Sequence, residues 1–162
     1  MSNKKRNLIE RLNLGPVICA EGFLFEIERR GYMRSGEFVP MVSLEHPEAL
    51  ENLHRDFQHS GSDVVQAFTY NGHREKMRVI GKEDLLEPLN RAALKIAKKV
   101  ADSPIGKEPN LMAGNISNSN IWNDKDKSKK RYAPRFYWHY VYYARFSSNS
   151  SCKYRFLEFN FL

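Results

Sequence analysis

Two short apolar runs, residues 17–20 (VICA) and 63–69 (DVVQAFT), constrain the fold of this chain more than any other feature. Each run has the length and the β-branched content of a buried strand. Between them, Leu50, Leu53 and Phe57 recur at helical spacing within residues 46–59, and Gly61 follows as a helix stop. A strand, a crossover helix and a second strand form a βαβ unit, which belongs to a parallel sheet covered by helices. The sequence therefore predicts an α/β fold.

The same alternation continues along the chain. Apolar residues at helical spacing predict the longest helix at 83–103, with Pro88 either kinking it or marking its true start. Residues 111–117 then predict a third strand. The shorter predicted elements are a helix at 7–12, a helix at 23–30 ended by Gly31, a loop at 35–40, and a charged connector or helical turn at 74–81. The predicted order is thus β-α-β-α-β.

The composition changes abruptly near Asn123. Residues 123–162 carry nine Lys or Arg against three Asp or Glu, so they hold +6 of the net charge of +7. They also hold 12 of the 20 aromatic residues and no glycine. This break predicts one α/β domain at residues 8–122, followed by an irregular basic and aromatic tail at residues 123–162.

Several classes of protein lack support in the sequence. It has no apolar span of membrane length, and no apolar region follows the basic start MSNKKR, so neither a membrane protein nor a secretory signal is predicted. Two cysteines, Cys19 and Cys152, form no disulfide framework, which favours a reducing, cytoplasmic location. Nucleotide-binding glycine motifs are absent.

The sequence predicts that the histidines and Cys19 are structural residues rather than metal ligands. The histidines have no spacing typical of metal ligands and are predicted to lie on the surface: His46, His54, His59, His73 and His139. Cys19 lies in the first predicted strand and is predicted to be a small buried apolar residue.

The loops after the strands are the candidate site, because such loops carry the chemistry in parallel α/β folds. They are residues 20–23 (AEGF) and residues 70–73 (YNGH), with Gly114 at the end of the third strand. Gly22 fits a tight turn whose backbone N–H groups can approach a carboxylate.

Residues 21–32 (EGFLFEIERRGY), 46–49 (HPEA), 53–57 (LHRDF) and 61–66 (GSDVVQ) resemble the betaine–homocysteine S-methyltransferase family, and the resemblance spans about residues 8–120. It implies a zinc-dependent enzyme that transfers a methyl group from a betaine-type donor to homocysteine, forming methionine. The implied fold is a (β/α)8 TIM barrel, which typically needs about 250 residues. We therefore expect about three βα units of such a barrel, a truncated domain, and a tail from outside the family.

The resemblance also implies roles for individual residues. The family usually binds the amino acid part of homocysteine with Asp-Gly-Gly-Phe, where this chain has Ala20 to Phe23. Glu21 either substitutes for the missing carboxylate or is an ordinary loop acid. In the second loop, Asn71 stands where many members have a tyrosine near the donor. Tyr70 either offers an aromatic face to a quaternary ammonium group or is a rim residue. The predicted substrate-binding residues are Glu21, Gly22, Phe23, Tyr70, Asn71 and Gly114.

The family's zinc is implied to bind three cysteines on later strands, two of them in a Gly-Gly-Cys-Cys run. This sequence has no such run, and neither Cys19 nor Cys152 matches a ligand position. We therefore predict no metal ligand and no catalytic residue in this chain, and the activity of the chain alone stays open.

Two alternatives belong to other functional classes. One is an inactive interaction protein that pairs its sheet edge with another chain or forms a homo-oligomer. The other is weak binding of single-stranded nucleic acid by Lys129, Lys130, Arg131 and the aromatic residues at 136–140, although no RNA-binding signature accompanies them.

Overall fold

The computed structural model describes residues 6–34, 40–103, 105–106, 108–115 and 117. Within these residues the strands are β1 (Val64–Gln66) and β2 (Leu111–Ala113), and a short 3-10 helix at Glu83–Leu85 precedes the last α-helix. The α-helices are α1 (Leu8–Leu12), α2 (Phe23–Arg29), α3 (Val42–Glu45), α4 (Pro47–His59), α5 (Arg74–Val79) and α6 (Leu86–Ala101). The basic aromatic tail and its predicted boundary lie outside the described residues.

The two strands pair in parallel, with Val64 opposite Leu111 and Gln66 opposite Ala113. The predicted strand at 17–20 contributes only one parallel bridge, between Cys19 and Val64. Backbone and side-chain bonds are mixed here, because Ile18 O accepts from Asp63 N (2.8 Å) and Val64 N (3.1 Å), whereas Ile18 N donates to the Asp63 carboxylate (2.8 Å) and Ala20 N donates to the Ser62 hydroxyl (3.1 Å). The α/β class and the parallel pairing are confirmed, and the assignment of the domain as about three βα units of a (β/α)8 barrel stays a prediction.

The helices follow the predicted periodicity. Pro47 is the first residue of α4, and this helix buries Leu50 and Leu53. α6 begins at Leu86, so Pro88 lies in its first turn and marks the start of the helix rather than a kink. The helices α2 and α4 both end shortly before the predicted glycines. The charged stretch at 74–81 forms the short helix α5, whereas α3 was not predicted.

The core lies where the helices cover the strands. One cluster joins α2, α4 and the chain just after β1, and its members include Phe23, Ile27, Leu50, Leu53 and Phe68. A second cluster joins Val65 and Ala67 to Ala97 and Val100 on α6. Alternate residues of a strand face opposite sides of a sheet. The helices therefore cover the side that carries Val65, while Gln66 faces the other side.

The interpretations of two histidines and of Cys19 are wrong. His54 and His73 are each only 1% exposed. His54 lies on the inner face of α4 between core leucines, where it is shielded from solvent. Its imidazole ring meets the Phe23 ring edge-on, with 5.1 Å between the ring centroids. Cys19 is exposed because its segment forms one bridge instead of an interior strand, and its Sγ contacts Gln66 Oε1 at 3.3 Å.

Among the described residues, no helix combines the length and the apolar character needed to cross a bilayer.

Candidate ligand-binding loops

Three loops follow the carboxyl ends of the extended segments. The first loop is residues 20–22, the second loop is residues 69–73, and the third loop comprises Gly114, Asn115 and Ser117. Because the extended segments are parallel, these loops leave the sheet at the same end.

Phe23 connects the first loop to the second. Its ring stacks on Phe68 with a centroid distance of 5.3 Å and an interplanar angle of 18°, and it meets Phe57 edge-on at 5.1 Å. Aromatic pairs at such distances add to the stability gained from burial. Phe23 is the first residue of α2 and Phe68 directly precedes the second loop, so this contact fixes the beginnings of both segments.

Thr69 connects the second loop to the third. Its hydroxyl donates to Asn115 O at 2.7 Å and accepts from Asn115 N at 3.1 Å. Two residues later, Asn71 N donates to the Ser117 hydroxyl oxygen at 3.0 Å. These bonds extend the contact between β1 and β2 beyond the last residues of the strands.

The predicted site residues divide into exposed and buried groups. Tyr70 is 40% exposed, and Glu21, Gly22 and Gly114 are also exposed. Phe23 and Asn71 are buried. The Phe23 ring lies within the core, so its contact with a ligand stays a prediction while its packing role is observed. Gly22 has a left-handed backbone (φ +91°) at the turn into α2, which most side chains would strain.

Two side chains near the loops have shifted pKa values. Desolvation lowers the pKa of His54 to about 4, and the Glu51 carboxylate opposes this shift. His54 is therefore a neutral ring at physiological pH. Desolvation raises the pKa of the Cys19 thiol, and the Glu21 carboxylate adds to the effect. The protonated thiol of Cys19 is therefore favoured over the thiolate.

Sequence reasoning missed Asn90 and the buried state of His54. Each interrupts an otherwise apolar helix face, and this interruption is the signal that could have identified them. Asn90 lies between Leu86, Leu89 and Ala93 on the buried side of α6 and is only 4% exposed. Its amide group contacts the second loop.

The described residues do not fit a metal centre. Within this part of the chain, no three His, Cys, Asp or Glu side chains lie together in a way that could hold an ion. Cys19, the described cysteine, is paired with Gln66 rather than with other ligand-type side chains. The zinc chemistry implied by the resemblance has no support from this donor set.

A family model described as homocysteine S-methyltransferase matches residues 18–146. This match continues past residue 122, and the division of the chain at that residue stays a prediction.

Betaine–homocysteine S-methyltransferase 1 of Bos taurus is 38% identical over 120 residues, covering 71% of this chain and 28% of the relative. The corresponding protein of Rattus norvegicus is 38% identical over 118 residues, covering 70% and 28%. S-methylmethionine–homocysteine S-methyltransferase BHMT2 of Pongo abelii is 37% identical over 127 residues, covering 77% and 32%. The aligned part thus spans about a third or less of each relative. The chain belongs to the homocysteine S-methyltransferase family.

Proposed function

We propose that this chain supplies the homocysteine-binding part of a methyltransferase domain that uses a betaine-type donor. The observation that carries the proposal is the joining of the three loops. Phe23 contacts Phe68 at the first and second loops, and Thr69 is bonded to Asn115 at the second and third. The relatives' names, which include betaine and S-methylmethionine as donors, support the same class of reaction.

The exposed loop residues supply suitable chemistry for these ligands. The Glu21 carboxylate is available to the ammonium group of an amino acid, next to the left-handed turn at Gly22. The partly exposed ring of Tyr70 offers an aromatic face to the quaternary ammonium of betaine. Glu21 as an ordinary loop acid and Tyr70 as a rim residue are the corresponding alternatives.

We propose that the chain alone has little methyltransferase activity. A thiol of pKa about 8.5 is mostly protonated at neutral pH, so homocysteine needs activation before it attacks a methyl carbon. The cysteines implied as zinc ligands have no counterpart in these 162 residues.

We expect purified protein to contain far less than one zinc per chain and to show little transfer from betaine to homocysteine. Elemental analysis after dialysis against a chelator, combined with a methionine assay, measures both quantities. One tightly held zinc per chain would contradict this part of the proposal.

Gly22→Val is expected to weaken homocysteine binding about tenfold, because a left-handed conformation costs an L-residue about 1–2 kcal/mol and distorts the first loop. Apart from its chain neighbours, no atom of the described residues lies within 4 Å of an added Cβ at this position, so the effect comes from the backbone rather than from a clash. Titration calorimetry with homocysteine measures it.

Gly31→Val is the matched control for this variant. Gly31 has a similar φ of +81°, has no other described residue in contact with an added Cβ, and follows the opposite end of α2. Gly31→Val should lose stability but keep its affinity for homocysteine. Equal affinity losses in the two variants, or none in Gly22→Val, would argue against a site at the first loop.

An interaction role is the second candidate. In parallel pairing, alternate residues of a strand bond to opposite sides. Leu111 N donates to Asp63 O, and Ala113 O accepts from Ala67 N, so the backbone of Met112 faces away from β1. Among the described residues no strand pairs with this side of β2. Oligomerisation through this edge and a cytoplasmic location both stay proposals. The nucleic-acid alternative rests on residues outside the described ranges.

A further inference from the structure

Asn90 connects the longest helix to the second loop. Its side-chain nitrogen donates to Gly72 O at 2.7 Å and to Leu86 O, one turn earlier in α6, at 2.8 Å. Both bonds are buried, and the residue is only 4% exposed. One amide group therefore ties a turn of the second loop directly to a helix.

The turn at Gly72 fits closely against α6. A Cβ added to Gly72 would lie 3.1 Å from Leu89 Cδ2, 3.1 Å from Thr69 O and 3.2 Å from Asn90 Oδ1. Gly72 N in turn donates to Thr69 O at 2.9 Å. The neighbouring Asn71 has a left-handed backbone (φ +59°) although it is not glycine. The second loop is thus a tight, close-packed turn.

Helix stability alone does not explain an asparagine at this position. Asparagine forms helices less readily than leucine or alanine, and burial of an amide is unfavourable unless all its polar atoms are bonded. Asn90 Oδ1 is buried and has no hydrogen-bond partner among the described residues. An apolar residue at position 90 would match the rest of this helix face but could not donate to Gly72 O. The asparagine side chain supplies that donor.

We propose that Asn90 is a positioning residue that holds the second loop in the conformation needed for ligand binding. The inference rests on the proposed function, because Tyr70 and Asn71, the predicted ligand contacts of this loop, directly precede Gly72. Asn90 itself need not touch the ligand. Its amide fixes the carbonyl of Gly72 and thereby limits the positions that Tyr70 can occupy.

The test compares Asn90→Leu with Val100→Ala. Leucine has the same number and branching of side-chain heavy atoms but cannot donate. Val100 is fully buried on the same helix and packs in the second core cluster, so its truncation destabilises α6 without contact to the loop. The first measurement is amide hydrogen exchange at Asn71 and Gly72, whose N–H groups are bonded to Ser117 Oγ and Thr69 O. The second is the affinity for betaine.

We expect Asn90→Leu to raise exchange at Asn71 and Gly72 about tenfold beyond its effect on α6, and to weaken betaine binding about tenfold. Val100→Ala should raise exchange along α6 and leave betaine affinity unchanged. Equal loop exchange in the two variants would overturn the proposal. So would faster loop exchange in Asn90→Leu with unchanged betaine affinity.

Gly72→Ala provides a second route if Asn90→Leu does not fold. The Cβ added at Gly72 pushes the turn away from α6, although the Asn90 amide is retained. We expect the same increase in amide exchange in the second loop. Unchanged exchange would overturn the proposal. If the unmodified chain binds neither betaine nor homocysteine, the proposed function fails. Loop exchange alone then decides whether Asn90 holds the second loop.

Discussion

Replacing Phe23 with alanine is expected to lower the free energy of unfolding by about 3–5 kcal/mol, the range for large aromatic truncations in a core. The ring is 6% exposed and lies among Phe57, Phe68 and His54 at centroid distances of 5.1–5.3 Å. Its removal leaves a cavity at the junction of α2, α4 and the second loop. Denaturant unfolding followed by circular dichroism measures the loss.

Phe25→Ala is the control for this substitution. Phe25 lies on the same helix but is 77% exposed, so its truncation should change stability by less than about 0.5 kcal/mol. Phe23→Ala should also lose homocysteine binding, because the first loop is displaced, whereas Phe25→Ala should retain it. Similar stability losses in Phe23→Ala and Phe25→Ala would contradict the aromatic cluster described here.

Acidification from pH 6.5 to pH 4.5 is expected to destabilise the protein through His54. Burial lowers its folded pKa from 6.5 to about 4, so between these values the unfolded chain binds the proton and the folded chain does not. The contribution of neutral His54 is complete above pH 6.5. Below it, stability falls by about 1.4 kcal/mol per pH unit, reaching a total of about 3 kcal/mol near pH 4.

Comparison of His54→Leu with His59→Gln isolates this contribution. His59 is exposed at the end of α4 and serves as the control. His54→Leu should flatten the dependence of unfolding free energy on pH between 6.5 and 4.5, and His59→Gln should keep it. Measurements stay above pH 4.5 because the carboxylate of Glu108, whose pKa the bonds from Arg6 lower to about 2, adds its own acid-dependent loss below that value. An unchanged slope in His54→Leu would contradict the buried state of His54.

The helices were predictable because their signal is local. In α4 and α6 the apolar spacing continues over several turns, and glycine or proline marks the boundaries. The strand at 17–20 was predicted too long, since composition does not reveal that Ser62 and Asp63 side chains bond its amides. The helix α3 is only four residues long and gives almost no periodic signal.

The location of the candidate site followed from topology, whereas the state of its residues did not. Parallel pairing brings the three loops to one end of the sheet regardless of side-chain detail. The burial of Phe23 and Asn71 depends on packing between segments distant in sequence. The contact of Asn90 with Gly72 joins residues 18 positions apart. Its only indication in the sequence is that Asn90 is the single polar residue on an apolar helix face.

Titration of isotopically labelled protein with homocysteine, followed by amide NMR shifts, tests the central claim most directly. The claim is that the three loops form one binding site for this amino acid. We expect saturable shifts that are largest at Glu21, Gly22, Tyr70, Asn71 and Gly114, with little change in α1 near Arg6 and Glu108. The absence of saturable shifts, or shifts confined to residues away from the three loops, would contradict the account.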